Sequence, residues 1–209
     1  MPNADDSERI ARLIRESIQV KQALIDRHVA QIAQAADWMI ETFGAGGKVL
    51  LCGNGGSAGD AQHIAAELVG RFERTRGPLP ALALTTNSST LTAIANDYDY
   101  RQVFSRQVEA WADARDLVIG ISTSGNSPNV IEAMGMAKRK GTRTLGLTGQ
   151  SGGRLASCVD LCITVPSENT ARIQEAHILI GHILCHLVDA SHGRAESTAC
   201  KTSETRFLS

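Results

Sequence analysis

The sequence predicts a doubly wound, mostly parallel five-stranded α/β sheet preceded by an N-terminal helical extension. Three observations carry that prediction. Five short runs, Val49–Cys52, Pro80–Thr85, Leu117–Ile121, Thr144–Thr148 and Leu161–Val165, are apolar throughout instead of alternating, as strands covered on both faces are. Stretches with helical spacing lie between them at Ser57–Val69, Arg101–Trp111, Asn129–Lys140 and Glu168–Ala190, the alternation that builds a parallel sheet. The 209 residues allow one sizeable domain with a small appendage, at the usual ~150 residues per domain.

Taken in order, residues 6 to 43 read as helix. Ile10, Leu13, Ile14, Ile18, Leu24, Ile25, Val29, Ile32, Ala36, Met39, Ile40 and Phe43 recur with a period near 3.6. Asp5 followed by Glu8 forms a capping signature, and Gly44-Ala45-Gly46-Gly47 is the stop. The run is long for one globular helix, so a single helix and a hairpin breaking near Arg27 are both open. Its apolar side either meets another subunit or covers the chain's own sheet. The organisation is then an extension over 1–44, a sheet domain over 45–192 and a polar, loose tail over 193–209.

Composition removes several function classes. A net charge of −1 gives no basic face for nucleic acid, and 4% aromatic residues leave little for base stacking. The longest strongly apolar run, Ala176–Val188, holds three histidines and is short of the ~20 residues that cross a bilayer. The amino terminus is acidic, with no apolar signal region, and the expectation is a cytoplasmic protein. Five cysteines, at 52, 158, 162, 185 and 200, make no CxxC pair. They read as reduced, mostly buried thiols.

Two strand ends carry glycine-serine loops, each directly ahead of a helix: Gly53-Asn54-Gly55-Gly56-Ser57 and Ser122-Thr123-Ser124-Gly125-Asn126-Ser127-Pro128. Ligands of open α/β sheets bind beyond the carboxyl ends of the strands, and helix N-termini offer unpaired N–H groups to an anion. Pro128 at the first helical position marks Ser127 as the N-cap. Neither loop has GxGxxG or GxxxxGK[ST] spacing or a lysine, so hydroxyls and amides suit the phosphate monoester of a small sugar. The plainer reading is a pair of tight turns without a ligand.

Four further residues form a possible constellation. His63 and Glu67 lie one turn apart on the helix after the first loop, ~40° around it, and Gln174 and His182 lie two turns apart on the last helix, ~80° around it. If those helices face one another, two imidazoles, a carboxylate and an amide oxygen make a set that Zn²⁺ accepts. His177 and His186, on the same last helix, carry no such mark and read as structural.

The segments GNGGSAGDAQHIAAELVGRF (53–72), LTAIANDYDYRQVFSRQVEA (91–110), DLVIGISTSGNSPNVIEA (116–133) and ARIQEAHILIGHILCHLVD (171–189) resemble the phosphoheptose isomerases of the sugar-isomerase (SIS) superfamily. The likeness runs from about residue 8 to 190. It implies zinc, one per subunit, on His63, Glu67, Gln174 and His182, with Glu67 and His182 as the acid/base pair. It implies sugar contacts from Asn54, Gly55, Gly56 and Ser57, hydroxyl contacts from Asn96 and Asp97, and phosphate contacts from Ser122, Thr123, Ser124 and Ser127, while Gln174 and Glu67 touch both substrate and metal. The implied reaction takes D-sedoheptulose 7-phosphate to D-glycero-D-manno-heptose 7-phosphate through an enediol, for lipopolysaccharide or other surface polysaccharide, in a homotetramer. A carboxylate held by Zn²⁺ is a weak base, so the double duty of Glu67 is a tension. The same likeness admits a non-catalytic SIS protein that binds the bacterial replication initiator; retention of His63, Glu67 and His182 together argues for the enzyme. A sugar-phosphate-sensing regulator would need a DNA-binding module for which this length has no room.

Overall fold

The computed structural model describes the backbone of residues 4–204 and the side chains of residues 5–191. In chain order the elements are α1 (Ala4–Gly44), β1 (Val49–Gly53), α2 (Gly56–Val69), β2 (Ala81–Ala83), α3 (Ser88–Asp97), a 3₁₀ turn (Tyr100–Gln102), α4 (Ser105–Trp111), β3 (Leu117–Ser122), α5 (Pro128–Arg139), β4 (Arg143–Thr148), α6 (Gly153–Ala156), β5 (Leu161–Thr164) and α7 (Thr170–Glu204). The five strands pair in the order β2-β1-β3-β4-β5, and every pairing is parallel.

The apolar strands are explained by two cores, one on each face. In β3, Leu117, Ile119 and Ile121 point into the core shared with α1, α2 and α7. Val118 points the other way, among residues of α3, α4, α5 and α6. In β1, Val49 and Leu51 join the first core, Leu50 and Cys52 the second. Because successive side chains alternate faces, a strand between two cores is apolar at most positions, and the buried Thr144 and Thr148 of β4 bond their hydroxyls to Asp160 and the Gly149 carbonyl.

The direction of winding reverses between β1 and β3: from β1 the chain goes to β2 on one side, then to β3 on the other. The loops after these two strands therefore open into one crevice, the usual place for a ligand in such sheets.

The N-terminal extension is one helix, without a break near Arg27. No glycine or proline falls between Ala4 and Phe43. Its second half packs Leu24, Ile32, Ala35, Ala36 and Met39 into the sheet's first core. Its first half is braced on α7, where Ser17 donates to Glu175 at 2.6 Å and Arg172 donates to the Leu13 carbonyl at 2.6 Å. The helix covers its own sheet with one half and leaves Ile10, Ile14, Ile18, Ile25 and Val29 exposed on the other side.

The segment expected as a loose tail from 193 is helical backbone as far as Glu204. Ala195, Glu196, Ala199 and Lys201 are good helix formers and let the last turn of the domain run on. Cys52 and Cys185 are buried, Cys158 and Cys162 half-buried, and all four are free thiols; Cys200 lies outside the described side chains. Among the described residues, no helix is long and apolar enough to cross a membrane.

Candidate active site

The first loop is shaped by its glycines. Gly55 takes a positive φ of 56° at the N-cap of α2, a conformation that favours glycine. Gly56 begins the helix, and the Gln174 side chain of α7 lies against it: a Cβ there would stand 2.4 Å from Gln174 Nε2. Ser57 is buried.

In the second loop, Ser122 and Ser127 face each other, Oγ to Oγ at 2.9 Å. Ser127 is the N-cap of α5 and Pro128 opens that helix, yet the Ser127 hydroxyl makes no capping bond. Ser124 Oγ accepts from the Asn126 N–H at 3.1 Å. The loop after β4 braces this cradle, since Gly149 N donates to Thr123 O at 3.0 Å and Leu155 N to Gly125 O at 2.8 Å. Ser122 is buried, Thr123 and Ser127 are half-buried and Ser124 is exposed.

Helices α2 and α7 lie side by side and run the same way, with Gln174 over Gly56 and, further along, Gly181 against Ile64. His63 and His182 meet between them, Nε2 to Nε2 at 3.3 Å, and Glu67 Oε1 is 3.1 Å from His63 Nε2. One ligand atom from each of the three lies within 4.8 Å of the others. At a Zn–N distance of ~2.05 Å, neighbouring corners of a tetrahedral site are about 3.3 Å apart, so these donors fit a zinc ion. Two imidazole nitrogens at this distance need a proton or a cation between them, and a carboxylate alongside suits the cation. Phe72 stacks on His182, with centroids 5.5 Å apart and planes 21° from parallel, and steadies that ring.

Asn96 and Asp97 are the last two residues of α3, not a free loop, and Asn96 donates to Asp97 at 2.8 Å. The chain then turns so that the Tyr100 hydroxyl donates to Asn54 Oδ1 at 3.3 Å. His177 is buried and contacts Thr148 O at 3.2 Å, whereas His186 lies at the surface and contacts Glu73 at 2.7 Å.

With this geometry in view, the relatives are informative. A family model described as the SIS domain matches residues 13–149. A phosphoheptose isomerase of Roseiflexus sp. is 58% identical over 176 residues, 84% of this chain and 89% of that protein. The chain belongs to the phosphoheptose isomerase family. Two solved phosphoheptose isomerases share its architecture, one from Neisseria gonorrhoeae (47% identity, TM-score 0.84, covering 88% of this chain and 98% of that one) and one from Francisella tularensis (41%, TM-score 0.86, again 88% and 98%). Family membership makes the chain an enzyme of the isomerase class.

Four residues of this phosphoheptose isomerase family member were not evident from spacing. Asn129, buried on α5, exchanges two hydrogen bonds with Asn54 at 2.9 and 2.8 Å. The Tyr100 hydroxyl gives Asn54 a third side-chain hydrogen bond. Asp60, one turn before His63, has Oδ2 buried without a partner; burial pushes its carboxyl up to about 6, against the pull of His63. Arg76 donates to the carbonyls of Glu67 and Leu68 at the end of α2 and pairs with Asp189 of α7 at 2.6 Å. Only Asp60 carried a sequence signal, an acidic residue at i−3 from a candidate ligand.

Proposed function

We propose that this enzyme converts D-sedoheptulose 7-phosphate to D-glycero-D-manno-heptose 7-phosphate in a zinc-dependent reaction. The observation that carries the reading is the meeting of His63, Glu67 and His182 on α2, whose first turn also forms one wall of the crevice. Gln174, whose side chain lies against Gly56 at that wall, would be the fourth zinc ligand and a substrate contact.

The phosphate sits in the second loop. Ser122, Thr123, Ser124 and Ser127 donate hydroxyl hydrogens to it, and the orphan N–H groups at the start of α5 favour its charge. Asn54, Gly55, Gly56 and Ser57 hold the C1 end, with Asn96 and Asp97 on the chain hydroxyls. A base removes the proton on C1 while the C2 oxygen takes up a proton, which gives the enediol. Return of a proton to C2 with loss of the O1 proton gives the aldehyde. Glu67 and His182 exchange these protons. Glu67 turns Oε1 to His63 and leaves Oε2 without a hydrogen-bond partner among the described residues, so one carboxylate has an oxygen for each duty. When bound, Zn²⁺ supplies positive charge beside the developing enediolate oxygens.

The same reading has a cytoplasmic enzyme supplying heptose for lipopolysaccharide or another surface polysaccharide. It forms a homotetramer through the exposed apolar side chains of α1, with Ile14, Ile18 and Ile25 between 56% and 62% exposed; subunit contacts of this kind complete each pocket. The test is turnover of sedoheptulose 7-phosphate by purified protein, followed by loss on chelation and recovery with Zn²⁺. H182A and E67Q should abolish turnover while the thermal midpoint holds. Turnover that survives both substitutions refutes the catalytic assignment.

A further inference from the structure

A side-chain pair ties the first loop of the crevice to the helix that follows the second. Asn54 Nδ2 donates to Asn129 Oδ1 at 2.9 Å, and Asn129 Nδ2 donates to Asn54 Oδ1 at 2.8 Å. Asn129 is 2% exposed and stands in the first turn of α5. The N–H of Val130 is one of the orphan donors of that turn, and it donates to Asn129 Oδ1 at 3.0 Å. This fixes which end of the Asn129 amide is oxygen. The fixed amide then dictates the orientation of Asn54 across the crevice, with Nδ2 toward Oδ1 and Oδ1 toward Nδ2. Tyr100 fills the remaining lone pair of Asn54 Oδ1 at 3.3 Å.

An asparagine amide has two donor hydrogens and two acceptor lone pairs. Asn54 has both lone pairs and one hydrogen committed within the protein, which leaves a single N–H. We infer that Asn129, helped by Tyr100, is a positioning residue that makes Asn54 a donor, and not an acceptor, toward the substrate. The group that Asn54 recognises is therefore an oxygen acting as acceptor, a carbonyl or a hydroxyl, at the C1–C2 end of the sugar. This rests on the isomerase reading above. It adds a selectivity: an ammonium analogue, which offers only donors at this point, is refused, and a deoxy analogue leaves the Asn54 N–H unpaired.

The test is a double-mutant cycle on kcat/KM for sedoheptulose 7-phosphate with N54A, N129A and the pair. One hydrogen bond of the ordinary net strength corresponds to about tenfold in kcat/KM, so each single variant should lose about tenfold. If Asn129 acts through Asn54, N129A made on top of N54A costs almost nothing further. A purely structural Asn129 would cost the same in both backgrounds, and additive losses overturn the inference. Y100F, at an exposed position, should lose about threefold in wild type and nothing in the N54A background; it keeps the question decidable if N129A does not fold. Absence of turnover by the wild-type protein would instead overturn the isomerase reading, and with it the substrate assigned to Asn54.

Discussion

Replacing Gly56 by alanine separates the fold from the site. Gly56 is the first residue of α2, exposed, and its φ is not positive. Nothing in the backbone resists alanine there, and helix propensity favours it by up to about 1 kcal/mol. The obstacle is Gln174: the new Cβ would stand 2.4 Å from Nε2, 2.9 Å from Cδ and 3.0 Å from Oε1. Ordinary contact begins near 3.4 Å, so the amide must retreat by about 1 Å or change rotamer, at a cost of about 0.5–1.5 kcal/mol. The two effects nearly cancel in stability. The amide is nonetheless gone from its place, and a misplacement of this size costs on the order of 10²-fold in rate. G59A is the control, on the same helix with nothing within 4 Å of its Cβ. We expect G56A to melt within a few degrees of wild type while kcat/KM falls 10- to 100-fold, and G59A to melt higher with unchanged turnover. A G56A enzyme with full activity would refute the placement of Gln174 in the site.

Three other perturbations have defined outcomes. Burial holds the His177 imidazole down at about 4, against the pull of the Thr148 carbonyl. Between about pH 4 and the unfolded value near 6.5, the unfolded chain binds a proton that the fold excludes. Stability should rise with pH across that window by up to about 3 kcal/mol; urea midpoints at pH 4.5, 5.5 and 7.5 should show this rise in wild type, and an equally steep rise in H177L would exclude His177 as the source. Burial raises the Asp189 carboxyl, but the bonds from Arg76 and from the N–H groups of Arg74 and Glu73 outweigh it and hold it below the usual range. That contribution is present above about pH 4 and fades as pH falls through the lowered value. The pair is almost fully buried, 3% and 1% exposed, so D189N should destabilise by about 3–5 kcal/mol in chemical denaturation, and a loss under about 1 kcal/mol would contradict the assignment. On the proposed subunit contact, I14E/I18E should lower the mass found by sedimentation without lowering the helix content, because both side chains are exposed within the subunit; an unchanged mass would contradict that contact.

The strands and both loops were legible because their signals are local. A strand with cores on both faces is largely apolar, with Thr144 and Thr148 of β4 buried by bonding their hydroxyls to Asp160 and the Gly149 carbonyl, and a loop that brings backbone close to a ligand needs glycine where it stands. Helix α3 escaped because Ile94 is its only buried residue; the stretch reads as polar, and its start is marked only by Asn87 Oδ1, which accepts from Thr90 N. Length left a single helix and a hairpin near Arg27 both open; the absence of glycine and proline between Ala4 and Phe43 favours the single helix, and α7 supplies the support that a long helix needs. Of the expected ligands, the 3.6 period pairs His63 with Glu67 on one face; their meeting with His182, 119 positions away, was implied only by the family resemblance. No period pairs Asn129, Tyr100 and Arg76 with their partners: they act on residues 75, 46 and 113 positions away, and chain spacing carries no trace of such meetings.

His63 and Glu67 belong to the first strand–helix unit, whereas His182 and Gln174 arrive with the final helix. The two sides of this cluster stand 119 positions apart in the chain, so they meet only when α2 and α7 are both in place. On the proposed mechanism, a variant lacking α7 would keep both glycine-serine loops, lose His182 and Gln174, and turn over no substrate.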